Sequence, residues 1–181
     1  DYKPITEGEQ WGQKWESAWF HLQGEIPEVW LGKAVVAELD FSGEGLVFGS
    51  DGRAIQGITN GSIWEPNFVR TIVPLDDSCH SDGKIDFWVE AAANSLFGIF
   101  MDSDPSEENP KRHGWFNSKV EKIKIGIFND DAWQLYLDAR ILLGLVKRLN
   151  EQSVRRSRII RVLNDCINAF EIDPKKIKQA R

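Results

Sequence analysis

The sequence predicts a mainly β domain, a β-sandwich, followed by an α-helical extension. Short apolar or alternating runs, separated by clusters of Gly, Pro, Asn and Asp, recur from Trp15 to Phe128. Past Asn129 the pattern changes, and apolar residues recur at intervals of three and four. Several short strands ended by turns fit two antiparallel sheets packed over one core. The expected division is a sandwich over residues 1–129 and helices over residues 130–181.

The first thirteen residues are polar and hold Pro4, Gly8 and Gly12, so an irregular lead-in is expected. Trp15 to Leu22 reads as a strand. Trp11, Trp15 and Trp19 also share a helical spacing of four, but the glycines and Ser17 favour the strand. These tryptophans fit core or rim packing, with a sugar platform as the alternative. Gly24 to Lys33 is a loop, and Ala34 to Leu39 and Leu46 to Phe48 are strands. Gly43-Glu44-Gly45 between the last two is expected to form a tight turn joining neighbouring strands. Glu44, framed by two glycines, reads either as a turn residue or as a buried acceptor. Asp51-Gly52 is a turn, Ala54 to Ile58 an extended piece, and Thr59 to Asn67 a loop. Phe68 to Val73 is strand-like and ends at Pro74. After the Ser81-Asp82-Gly83-Lys84 turn, Ile85, Phe87 and Val89 alternate along a half-buried strand. Asn94 to Trp115 reads as a long exposed loop, and Lys119 to Phe128 as the last strand.

Asn129-Asp130-Asp131 supplies a helix N-cap and an acidic first turn. Trp133, Leu137, Ile141, Leu145 and Leu149 follow at intervals of four, and Leu135, Leu142 and Val146 widen the stripe. A break at Asn150 to Ser153 precedes a second helix. It is expected to bury Ile159, Leu163, Cys166, Ile167 and Phe170 and to wet Arg155, Arg156, Arg158 and Arg161. Asp173-Pro174 begins a third helix, with Asp as cap and Pro at the first position.

Of the 181 residues, 41% are hydrophobic, enough for a core, and eight Trp and ten Phe give it large apolar pieces. The chain opens without Met, which suggests a fragment of a longer protein. Lys147 to Arg181 holds ten Lys or Arg against four Asp or Glu. That is a local +6, so the preceding residues carry −12 of the overall −6. Such acidity argues against a nucleic-acid partner, and no apolar run is long enough to span a membrane. Cys79 and Cys166 differ in surroundings and show no metal spacing, so two free thiols in a reducing compartment are expected.

Chemistry-bearing patterns are sparse. His21, His80 and His113 are isolated and match no metal-binding spacing. His80, beside Cys79 and near Asp76, Asp77 and Asp82, reads as part of a polar turn, with a metal site as the alternative. No two carboxylates are bound to meet across a sugar, and Glu44 is the best isolated candidate, with a structural role favoured. Nucleophile motifs, phosphate loops and dinucleotide fingerprints are absent. Arg155 to Arg161 reads as a solvated face or an interdomain contact. Trp64, Trp115 and Phe116 fall in expected loops, where aromatic rings stack on sugars or anchor the loop. Asn94, His113 and Asn117 are the polar groups near them. Trp64, Asn94, His113, Trp115 and Asn117 therefore make a candidate carbohydrate-binding set.

Ser42-Gly43-Glu44-Gly45-Leu46-Val47-Phe48, Asp51-Gly52 and Gln56-Gly57 resemble the amino-terminal domain of glycoside hydrolase family 38 α-mannosidases, the large cytosolic or vacuolar kind above all. Trp15 to Phe20, Val89 to Gly98 and Asp131 to Asp138 extend the likeness in the same order. The resemblance implies a jelly-roll-like, galactose-binding-like sandwich that is non-catalytic, leading toward a catalytic domain beyond Arg181. The parent would be a retaining glycosidase that removes terminal α-linked mannose through a glycosyl-enzyme on an Asp. It would use zinc or another divalent metal held by a His-X-His-X-Asp motif, which this chain lacks. No catalytic residue, metal ligand or cofactor is therefore expected here. The implied partners are its own catalytic domain, further copies in an oligomer, and mannose-containing oligosaccharides. The implied location is cytoplasmic, or the vacuole.

Overall fold

Val35, Ala37 and Leu39 are buried, and Val36, Glu38 and Asp40 between them are only half-buried. This two-residue period gives each strand one face for the core and one for solvent. The computed structural model describes residues 2–13, 15–61, 69–94, 119–170 and 173–180. Its strands are β1 (Ser17–Glu25), β2 (Val35–Asp40), β3 (Glu44–Phe48), β4 (Ala54–Thr59), β5 (Ile72–Pro74), β6 (His80–Ser81), β7 (Lys84–Ala92) and β8 (Lys122–Ile127). Helices α1 (Asp130–Arg148), α2 (Val154–Phe170) and α3 (Ile177–Ala180) follow. The chain divides into two compact units, Asp1–Phe128 and Asn129–Arg181.

In the first unit all described strand pairs are antiparallel. One sheet has the order β1-β7-β3-β4, with β6 also paired to β7, and the other has the order β5-β2-β8. Phe20, Val47, Ile58, Phe87 and Val89 of the first sheet and Ala37, Leu39 and Val73 of the second form one apolar core. Gln56 reaches across it, its Nε2 donating to the Ile72 carbonyl at 2.8 Å. Trp11 is a core residue: its ring meets Phe20 edge-on at 5.2 Å and its Nε1 donates to the Phe41 carbonyl at 3.1 Å. The β-sandwich with a helical extension is the architecture observed.

The connection around Gly43-Glu44-Gly45 departs from expectation. β2 and β3 are not neighbours; they lie in different sheets, and residues 41–43 carry the chain across the core. The reason is visible in burial. Phe41 is 2% exposed and stacks on Phe20 at 4.4 Å, and Ser42 has no exposed surface at all. A side chain of that size inside a hairpin turn would sit in water, whereas here it fills the space between sheets. The bend falls on Ser42 and Gly43, and Glu44 and Gly45 open β3. Ser42 takes the left-handed conformation (φ 58°), and its N–H is held by Asp40 Oδ1 at 2.7 Å. Gly45 has another duty. A Cβ there would lie 3.0 Å from Ile58 Cγ1 and 3.3 Å from the Glu90 carbonyl, so two neighbouring strands depend on its absence.

Boundaries also shift. β1 starts at Ser17, because Trp15 sits at φ 72° and its N–H turns to the Ala93 carbonyl at 3.0 Å. β5 is confined to Ile72–Pro74, and Arg70 makes an isolated bridge to Thr59. The turn before β7 matches its chemistry: Asp82 and Gly83 both have positive φ between the paired Ser81 and Lys84.

In the second unit Asn129 caps α1, its side chain accepting from the Ala132 N–H at 3.1 Å. The expected stripe is sheltered only in part. At 3.6 residues per turn, steps of four drift around the helix: Trp133, Ile141 and Leu145 are exposed, whereas Leu137 and Leu149 are half-buried, as are Leu135, Leu142 and Val146, the residues expected to widen the stripe. α2 shelters Ile159, Leu163, Cys166 and Phe170, but Ile167 is exposed. Arg156, expected in solvent, is half-buried and its Nε donates to the Val146 carbonyl at 3.3 Å. Asp173 caps a single 3-10 turn at Pro174–Lys176, accepting from the Lys175 N–H at 2.9 Å, before α3 begins. No helix among the described residues is long and apolar enough to cross a membrane.

Candidate functional site

The outward face of the first sheet gathers the polar and aromatic residues that its strands turn away from the core. Register places them in rows across β1, β7 and β3. Trp19, Glu90 and Leu46 form one row and His21, Trp88 and Phe48 the next. Gln23 lies beside Asp86 in a third, across β1 and β7. Side chains this close across antiparallel strands pack directly or on the diagonal.

Two aromatic groupings result. His21 lies flat on Trp88, with ring centroids 3.8 Å apart and planes within 1° of parallel. Asp86 holds that imidazole on the diagonal, its Oδ1 2.7 Å from His21 Nε2. Tyr2 closes the cluster, edge-on to Trp88 at 5.4 Å. In the other grouping Trp19 rests on Phe48 at 5.1 Å and remains 46% exposed. An open groove of about 1080 Å³ borders both, lined by Trp19, His21 and Gln23 of β1 and by Tyr2, Lys3 and Gln10 of the lead-in, among others.

Of the candidate carbohydrate set, Asn94 is described. It is nearly buried, and its Nδ2 donates to Glu44 Oε2 at 2.9 Å. Glu44 is thus an acceptor at the start of a strand, joined to a residue fifty positions away. Trp64, His113, Trp115 and Asn117 lie outside the described residues. The sequence pointed to Trp19 among its tryptophans but missed Tyr2, Trp88 and the His21–Asp86 contact. The usable signal was the polar half of the alternation, at 19, 21 and 23 and again at 86, 88 and 90.

Four further titratable groups are tied into the fold. Burial pushes the Asp40 carboxyl up from its ordinary range. The Ser78 hydroxyl and N–H, both bonded to Asp76, hold that carboxyl low and tie the turn before Cys79 and His80. Cys79 has no exposed surface, and burial raises its thiol, which keeps it unreactive. Lys122 on β8 bonds Glu38 at 2.8 Å, which raises its ammonium. The zinc implied for a family 38 enzyme finds no fit among the described residues. Among the described residues no three His, Cys, Asp or Glu side chains converge on one point, and His21 is already engaged by Asp86. Both cysteines are free.

Comparison with known proteins gives a consistent result. A family model described as "Alpha-mannosidase, jelly roll domain", Ams1-like, matches residues 1–120. "Alpha-mannosidase G" of Dictyostelium discoideum is 27% identical over 176 residues, covering 97% of this chain and 16% of its own length. "Alpha-mannosidase 2C1" of Mus musculus is 28% identical over 170 residues, covering 93% of this chain and 15% of its own. "Alpha-mannosidase" of Saccharomyces cerevisiae is 26% identical over 175 residues, covering 94% and 15%. The chain therefore spans about one sixth of the length of the curated relatives it matches.

Proposed function

The chain belongs to the jelly roll domain family of α-mannosidases, and we propose that it is the non-catalytic amino-terminal part of an enzyme that hydrolyses terminal α-linked mannose from oligosaccharides. The observation that carries this reading is the match to α-mannosidases along 93–97% of the chain at a small fraction of their length. Retaining chemistry on an Asp and the divalent metal, zinc by preference, belong to the part of the parent this chain does not include. The setting that goes with the reading is cytoplasmic, with the vacuole as the alternative.

The domain's own task, on this reading, is to support the catalytic domain or an oligomer interface. The second unit supplies the motive. Neither α1 nor α2 has a fully buried residue, and Trp133, Tyr136, Ile141, Leu143, Ile160 and Ile167 are exposed. This number of exposed apolar side chains on two helices is what supports a packing role against other protein. The test is size-exclusion chromatography of residues 1–181 mixed with the separately produced remainder of the long protein. Co-elution is expected, and Ile141→Ser with Ile167→Ser should abolish it while the far-ultraviolet spectrum is kept. Independent elution of the two wild-type pieces would refute the supporting role.

A further inference from the structure

The groove beside β1 has a chemistry of its own, which does not depend on the accessory-domain reading. From that chemistry we propose that it binds a neutral, pyranose-containing oligosaccharide. Trp19 is the stacking platform, and Gln23, Gln10 and Lys3 take the hydroxyl groups.

A pyranose ring offers a patch of C–H groups on one face and a rim of hydroxyls. It is recognised by a flat aromatic surface with donors and acceptors beside it. The groove places both together. Trp19 is backed by Phe48 at 5.1 Å, yet 46% of its surface is open, so its ring is held without being covered. Tyr2, 66% exposed, offers a second ring. It leans on Trp88, which is clamped by His21, itself fixed by Asp86. Rings held this way lose little freedom on binding. Gln23 and Gln10 each bring an amide with two donors and an acceptor, and Lys3 adds donors.

Other ligand classes fit less well. Glu9 lines the groove, Glu90 lies beside Trp19, and Asp86 is near, so a phosphate-bearing ligand meets like charge. A wholly apolar ligand would match Pro4, Ile5, Leu22 and Ile123 of the lining but would leave Gln10, Gln23 and Lys3 without the hydrogen bonds that a sugar's hydroxyl groups supply.

The experiment is isothermal titration of the 181-residue chain with mannotriose, maltotriose and cellotriose, to about 10 mM, a range that captures weak affinities. Binding of at least one trisaccharide is expected. Trp19→Ala should raise its Kd by at least about tenfold, and Trp19→Phe, which keeps a platform, by no more than about threefold. Gln23→Ala, at an exposed position, should weaken binding measurably, and it decides the matter if Trp19→Ala does not fold. Absence of binding by all three sugars would overturn the proposal. So would binding that neither Trp19→Ala nor Gln23→Ala changes, since the sugar would then sit elsewhere.

Discussion

Replacing Phe41 by Ala separates the two readings of the Leu39–Phe48 stretch. An exposed hairpin turn would tolerate the change, with a loss below about 0.5 kcal/mol. In the structure Phe41 is 2% exposed and stacks on Phe20 at 4.4 Å, and its carbonyl receives the Trp11 indole. Deleting a buried Phe side chain costs about 3–5 kcal/mol, a range that includes both transfer and cavity. Of this, the ring pair with Phe20 accounts for about 0.5–1.5 kcal/mol. The Trp11 hydrogen bond uses a backbone acceptor, so it survives the substitution and adds nothing. With a urea slope of about 1–3 kcal/mol per molar, the midpoint should fall by roughly 1–5 M. Near-ultraviolet circular dichroism reports the packed aromatic rings of the first unit and should be fitted separately from the helical signal of the second. Phe41→Leu, which keeps most of the volume, should cost about 1–2 kcal/mol. A loss for Phe41→Ala under about 0.5 kcal/mol would refute the placement of this connection in the core.

Substitutions at three other positions probe further features. Burial raises the Asp40 carboxyl above its ordinary 3.8, so the folded chain holds that proton more tightly than the unfolded one. Its contribution favours folding below that value and weakens as pH rises from 3.8 through the raised pKa. Asp40→Asn keeps an acceptor for the Ser42 N–H, so its stability relative to wild type should increase across that rise; a decrease would contradict the assignment. Asp40→Ala removes the acceptor as well and should cost about 1–2 kcal/mol in urea melts at pH 7 relative to Asp40→Asn. Gly45→Ala gains chain stiffness worth about 0.4–1 kcal/mol but forces a Cβ against Ile58 and the Glu90 carbonyl. A net loss in melting temperature is expected, and a gain would show that the strands yield. Asn129→Ala should cost about 1 kcal/mol of helix stability, read at 222 nm on heating, and an unchanged transition would show that the cap is idle.

Strands were legible because a buried face imposes a period of two, as at Ile85, Phe87 and Val89. Pairing was less legible. Gly43-Glu44-Gly45 carries turn chemistry whether the chain folds back in one sheet or crosses to another. Only the bulk of Phe41, set just before it, distinguishes the two. The helices were legible as helices, and Leu135, Leu142 and Val146 were read on the apolar stripe, but counting in fours also took in Trp133, Ile141 and Leu145, which are exposed. The site depended on partners far apart in the chain. His21 meets Asp86 and Glu44 meets Asn94 only after β7 has paired with β1 on one side and β3 on the other. No local spacing encodes such contacts. The family likeness was legible, by contrast, because it rests on short runs in fixed order rather than on geometry.

The most direct test of the account is hydrolysis of p-nitrophenyl α-mannoside, measured with and without zinc or cobalt. Residues 1–181 should be assayed beside the longer protein proposed to carry them. Turnover by the long protein and none by residues 1–181 is the predicted result. Turnover by residues 1–181 alone would contradict the non-catalytic assignment, and silence from both would contradict the parent activity proposed from the family.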